Sequence, residues 1–299
     1  MVVLQILSSI IVVSILIYFG VFFHHKDNHS EIYRDYGKNS DINTDGERLV
    51  FTMTTIPSRL GYVHTVVENL LSLSTKPDVV YLNLPSFSVR ENCEYIIPER
   101  LEKLRDSDSR FIINTGVFDH GPATKLIPIL DLECEPDTFI IPVDDDAEFP
   151  TKYFEELIEY SRRFPNTVFG YHGVKVFDKK WHVVQTDVVD NVDIVETSAG
   201  AIYRRKMFKN NLHIHAEHPC RLQDDFIFGN EVGANGFSRA LLPSDKDRVS
   251  TKGRKGMPMT HKFDMPNPLY MVNFHKEGNS NCSTLLSDSF RRNKIYTIN

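Results

Sequence analysis

From Arg48 to the middle of the chain, short apolar runs of strand length alternate with amphipathic stretches. RLVFTMTT, DVVYLNL, RFIINTG and DTFIIPV read as strands, while GYVHTVVENLLSL and FPTKYFEELIEYSRRF carry helical spacing, and ERLEKLRD and ATKLIPILDL fall between strands. Parallel strands need long crossover connections, so this alternation predicts βαβ units. The expected fold is α/β, a mostly parallel central sheet with helices on both faces. In such a sheet the ligand site lies outside the carboxyl ends of the strands, where loops carry the polar groups.

The run FIIPV meets three consecutive aspartates, Asp144, Asp145 and Asp146, at such a strand end. Neighbouring carboxylates repel and raise one another's pKa, so a partner must offset them. Alternate side chains of an extended segment point to a common side, so Asp144 and Asp146 can share one cation. Hard oxygen ligands suit Mg²⁺ or Mn²⁺, and magnesium usually binds through one or two carboxylates plus substrate phosphates. A solvated acidic turn is the bland alternative. A calcium loop is disfavoured by Phe149 where such loops need glycine. A phosphatase with an Asp-x-Asp nucleophile is the enzymatic rival, although no Thr follows at the usual place.

The N-terminal segment Val2 to Phe23 has no charged residue. As a helix it would span roughly 33 Å, the thickness of a bilayer core. No Lys or Arg precedes it and no small-x-small cleavage site follows, so residues 1–25 read as an uncleaved transmembrane signal-anchor. Residues 26–47 are polar and rich in turn-formers, a flexible stem, and residues 48–299 read as the folded body. The formal charge of -6 and pI of about 6.1 argue against nucleic acid as a partner. Only the run RVSTKGRKG is locally basic. Four cysteines, Cys93, Cys134, Cys220 and Cys282, show no CxxC or metal spacing, and any disulfide pairing is illegible.

Several motifs in order resemble the GT-A-type nucleotide-sugar glycosyltransferases over nearly all of Arg48 to Phe274. FTMTTIPSRLGYVHTVVENLLS resembles the first strand and helix that hold the nucleotide, and DHGPATKLIPIL resembles a segment of short bacterial, viral and algal members. VDDD resembles the DxD metal site, VETSAGAIYRRKMF the acceptor-side glycine segment, and CRLQDDFIFGNEVGANG the acidic-pair helix opening. The DDD form and the later Asp-Asp also resemble, more distantly, the exostosin-like transferase domain.

The resemblance implies a GT-A, Rossmann-like fold and transfer of a sugar from a nucleoside-diphosphate sugar to a glycan, glycoprotein or glycolipid hydroxyl. It implies Thr55, Pro57 and Arg59 near the nucleotide, Asp144 and Asp145 toward ribose or donor sugar, and Lys125 at the diphosphate or donor sugar. Asp146, with Asp144, is the implied metal ligand, and a C-terminal histidine, His275 rather than His261, completes the shell. Asp225 is the implied general base, with Asp224 orienting it. Gly200, flanked by alanines, permits close backbone approach to a ligand, and Arg204 and Arg205 offer charge to a leaving diphosphate. HIHAEH lacks zincin spacing and reads as loop. In a eukaryotic cell the resemblance implies a single-pass type II protein with a lumenal, Golgi- or ER-like catalytic domain. A non-catalytic, membrane-anchored carbohydrate-binding protein is the alternative outside enzymes.

Overall fold

The computed structural model describes residues 46–177, 180–184, 186–209, 212–243 and 282. The anchor, most of the stem, His261, His275 and RVSTKGRKG lie outside the described residues. Among the described residues no helix is long and apolar enough to cross a membrane.

The strands are β1 (Leu49–Thr54), β2 (Val79–Pro85), β3 (Phe87–Ser88), β4 (Cys93–Glu94), β5 (Phe111–Val117), β6 (Phe139–Pro142) and β7 (Thr167–Gly170). They continue with β8 (Gly173–Phe177), β9 (Lys180–Val184), β10 (Asp190–Asn191), β11 (Ile194–Val195), β12 (Ala201–Arg204) and β13 (Ser238–Leu241). The helices are α1 (Val63–Leu71), α2 (Glu99–Ser107), α3 (Glu155–Arg163) and α4 (Asp224–Ala234).

Eight strands form the main sheet in the order β10-β13-β7-β12-β6-β1-β2-β5. β5, β2, β1 and β6 pair in parallel, as do β7 and β13. β12 runs antiparallel between β6 and β7, and β10 antiparallel to β13. The sheet is therefore mixed and mostly parallel, a Rossmann-like α/β arrangement. β8 pairs with β9 and β11 in a smaller antiparallel sheet. The central strands β1, β2 and β6 are buried almost throughout, which explains their unbroken apolar runs, whereas the edge strand β5 is largely open after Phe111.

The helices that follow the strands are shorter than their apolar patterns. The helix expected from Phe149 begins only at Glu155, because Phe149, Tyr153 and Phe154 pack ring against ring in the turn before it. ATKLIPILDL is not an α-helix but two 3-10 turns, Gly121–Lys125 and Ile127–Leu130, each with a proline at its start.

Chain order places β2 and β5 on one side of β1 and β6 on the other. This reversal between β1 and β6 is the topological switch point, where an open α/β sheet leaves a crevice at its carboxyl edge. Pro142 ends β6; the Val143 amide still donates to the Thr52 carbonyl at 3.0 Å, and the three aspartates then leave the sheet. Because β12 is antiparallel, its first residue, not its last, lies at this same edge.

Candidate functional site

The aspartates at the end of β6 each have a different environment. Asp145 is buried: its Oδ2 accepts from Thr55 Oγ1 at 2.6 Å and its Oδ1 from Arg59 Nη1 at 2.7 Å. Arg59 is carried by a 3-10 turn, Pro57–Arg59, that Pro57 opens just beyond β1, and its Nη1 also lies 3.6 Å from Asp146 Oδ2. Tyr95, from the segment after β4, donates to the Thr55 carbonyl at 2.9 Å. Asp145 is thus the internal brace that fixes the β1 loop against the β6 loop. Asp144 and Asp146 remain partly open, with side chains 34% and 24% exposed. Burial, followed by the Asp145 and Asp144 charges, pushes the Asp146 carboxyl up to about 7.

Asp144 is paired with the ammonium of Lys125, which comes from the first 3-10 turn. The same Nζ lies 2.9 Å from Asp224 Oδ2 and donates to Thr197 Oγ1 at 3.1 Å. Thr197 in turn donates to Asp225 Oδ1 from both its amide, 2.9 Å, and its hydroxyl, 2.7 Å. Asp224 and Asp225 open α4, where the helix dipole favours their charge. A continuous polar chain therefore runs from Asp144 through Lys125 and Thr197 to the acidic pair. Burial alone would lower the Lys125 pKa, but Asp144, Asp224 and Asp225 outweigh it and raise it well above the ordinary value. Burial, then the Asp224 charge, raises the Asp225 carboxyl well above the usual carboxylate range. A carboxylate so raised is a stronger base than one in water.

Thr55, Arg59, Lys125, Asp144, Asp145, Asp146, Asp224 and Asp225 are brought to one edge. Pro57 acts one step removed, by opening the Arg59 turn. Gly200 reaches the edge with φ +80°, but a Cβ there would sit 2.7 Å from the Phe154 ring, so the glycine admits an aromatic ring rather than a ligand. The Tyr153 hydroxyl locks this corner by donating to the Ala199 carbonyl at 2.6 Å.

Arg204 and Arg205 require a correction. Arg204 pairs in register with Phe139, the first residue of β6, and so belongs to the opposite, amino edge of the sheet. Its guanidinium lies over the Phe139 ring and donates to the carbonyls of Asp137 and Ser161, both at 3.1 Å. Arg205 donates to the carbonyls of Leu130 and Phe208, both at 2.8 Å. Both arginines tie the scaffold, and neither faces the carboxylates at the carboxyl edge.

Several residues of the site were not singled out from sequence. Thr197 lies inside the glycine segment but a lone threonine carries no local signal. Asn83 and Thr52, both buried in the sheet, hold the Lys125 backbone: the Thr52 hydroxyl and Asn83 Nδ2, the latter at 3.3 Å, donate to the Lys125 carbonyl. The asparagine inside the apolar strand VVYLNL was the available clue, since a buried amide demands partners. Beside the site, the loop His120–Lys125 packs on the segment before α4. Gly121, φ +67°, lets the chain approach the Arg221 carbonyl, and Arg221 pairs with Asp119 at 2.7 Å. Cys220 is disulfide-bonded to Cys282.

The fold resembles that of a solved structure. Over 67% of this chain it resembles GalNAc-T7, whose crystal structure contains UDP, GalNAc and Mn²⁺, with a TM-score of 0.51 and 9% identity. The matched part spans 43% of that protein's chain. No family model matches this sequence, and no curated protein does. At this identity the likeness is one of fold, a glycosyltransferase-like fold.

Among the described residues, no three His, Cys, Asp or Glu side chains converge into a ready-made cage. The donor set nevertheless fits a hard divalent cation of the kind held by one or two carboxylates plus phosphates. Asp144 and Asp146 are partly open, and Asp146 is a carboxylate whose charge its neighbours oppose.

Proposed function

We propose that this protein is a metal-dependent glycosyltransferase that moves a sugar from a nucleoside-diphosphate sugar to an acceptor hydroxyl on a glycan, glycoprotein or glycolipid. One arrangement supports it: open carboxylates end a central parallel strand at the sheet's switch point, and a buried lysine links them to an acidic pair at a helix start. Asp146 with Asp144 would hold Mn²⁺ or Mg²⁺, with His275 as the proposed further ligand. When bound, the cation would neutralise charge on the departing diphosphate.

Thr55 and Arg59 shape the nucleotide side of the crevice while Asp145 braces them. Asp225, its Oδ1 held by Thr197, takes the proton of the acceptor hydroxyl. The acceptor oxygen bonds to the anomeric carbon as the bond from that carbon to the diphosphate oxygen breaks, and the electron pair leaves with the diphosphate. In a retaining enzyme Asp225 would instead stabilise the positive sugar centre. Residues 2–23 would anchor the protein in a membrane as a type II, lumenal enzyme.

The test uses the full chain in detergent with a panel of nucleoside-diphosphate sugars. Slow donor hydrolysis is expected with Mn²⁺, stopped by chelator and absent in Asp146→Asn. Turnover that ignores chelator would sink the metal assignment, and a phospho-enzyme trapped on Asp144 would favour a phosphatase instead.

A further inference from the structure

Lys125 is a buried cation that already occupies the place where the proposed cation must act. Its ammonium contacts Asp144, one of the two open carboxylates, and at the same time reaches Asp224 and Thr197 on the acceptor side. The backbone at Lys125 cannot follow a moving side chain, because Thr52 and Asn83 hold its carbonyl and Asn114 Nδ2 braces Asn83 Oδ1 at 2.9 Å. Any rearrangement is confined to the side chain, whose remaining partners all belong to the acidic pair or to Thr197, which holds Asp225.

We propose that Lys125 is a resident counter-cation of Asp144 that a divalent ion displaces, and that the displaced ammonium is retained by Asp224 and Thr197. Building on the transferase reading, this makes Lys125 a positioning residue that couples donor-site occupancy to the acceptor-side carboxylates. Without the ion, Lys125 neutralises Asp144 and keeps the edge from repelling itself. With the ion, the two cations compete for Asp144, since like charges close together in a partly buried site repel. The ammonium then loses Asp144 and keeps the Asp224 and Thr197 contacts it already makes, so its charge is shared by the acidic pair alone.

The coupling has two consequences of opposite sign, and the tightening is one that simple damage does not produce. Mn²⁺ alone is titrated into the full chain in detergent, and free Mn²⁺ is read by electron paramagnetic resonance. Lys125→Met removes the competitor, and the expected result is Mn²⁺ affinity about tenfold tighter than wild type, with slower donor hydrolysis. Asp224→Asn removes the acceptor of the displaced ammonium, and Mn²⁺ should bind several-fold more weakly. Circular dichroism checks that each variant is folded, and if Lys125→Met does not fold, Asp224→Asn carries the test.

Affinity unchanged or weakened in folded Lys125→Met, or unchanged in Asp224→Asn, overturns the exchange. Donor hydrolysis by the wild type tests the transferase reading separately. A wild type that turns over donor while these affinities stay fixed loses only the inference about Lys125. A wild type without donor turnover that shows both shifts keeps the exchange and loses the transferase reading.

Discussion

At the amino edge of the central sheet, Arg204 and Arg205 direct donors to backbone carbonyls of Asp137, Ser161, Leu130 and Phe208, and Arg204 also lies 3.4 Å from the carboxylates of Glu47 and Asp137. At the carboxyl edge, Arg59 and Lys125 face carboxylates, and the carboxylates Asp144, Asp145, Asp146, Asp224 and Asp225 stand in excess. Both edges bury charged side chains. A guanidinium held mainly by carbonyls has little to exchange, because those partners are fixed parts of the chain. An ammonium shared among several acids can lose one partner and keep another, so the second edge is adjustable. Buried charge therefore marks function only where its partners are interchangeable and the sum of charges is left unbalanced.

The sharpest way to break this contrast is to substitute one residue at each edge. Asp225→Asn should lower sugar transfer by about 10²–10⁴-fold, the usual worth of a general base, in a transfer assay. Its thermal midpoint should hold or rise, because burial and Asp224 already oppose the Asp225 charge in the folded protein. Arg205→Met should do the reverse. It strips donors from the carbonyls of Leu130 and Phe208, and urea unfolding should show a loss of about 3 kcal/mol, with turnover per folded molecule unchanged. If Arg205→Met abolished turnover in folded protein, the division between the edges would be wrong.

Two smaller effects sharpen the picture of what supports the carboxyl edge. Cys220 lies four residues before Asp224 and is tied to Cys282 across a sequence separation of 62. Cys220→Ala with Cys282→Ala should cost about 2–3 kcal/mol of stability, measured by denaturant titration, mainly by freeing the unfolded chain. His120 gives the effect with a pH signature. Burial, then the charge of His213, lowers its pKa to about 4, and its Nδ1 accepts the Ile214 amide at 3.2 Å. The unfolded chain takes up this proton near pH 6.5, before the folded protein does. His120 therefore contributes full stability above about pH 6.5 and loses it as the pH falls toward 4. His120→Asn, which keeps an acceptor for Ile214, should flatten thermal midpoints across that window.

Local signals were legible in the sequence. An apolar strand delivering three aspartates, a Thr-x-Pro turn after β1 and an Asp-Asp helix opening are each contained within a few residues, and the structure brings their named side chains to one edge. Thr197 was not legible, because its role depends on Lys125 from a segment 72 residues away. Gly200 was legible as a close approach, but what approaches is Phe154. Arg204 ends β12 and Arg205 follows it, so both fall at the amino edge of the sheet, away from the carboxylates. An antiparallel strand delivers its first residues to the carboxyl edge.

Residue order alone determined the alternation of elements, the burial of β1, β2 and β6, and the concentration of carboxylates at strand and helix ends, since periodicity and charge density are properties of neighbouring residues. Tertiary structure decided the direction of β12 and which edge each charge serves. It also decided that Lys125 stands between Asp144 and Asp224 rather than in solvent. Strand direction is set by crossover packing and by the pairing of β12 between β6 and β7, and the partner of a buried ammonium is set by whatever three separate segments present to it. Those are sums over distant contacts, and they exist only once the sheet has closed around them.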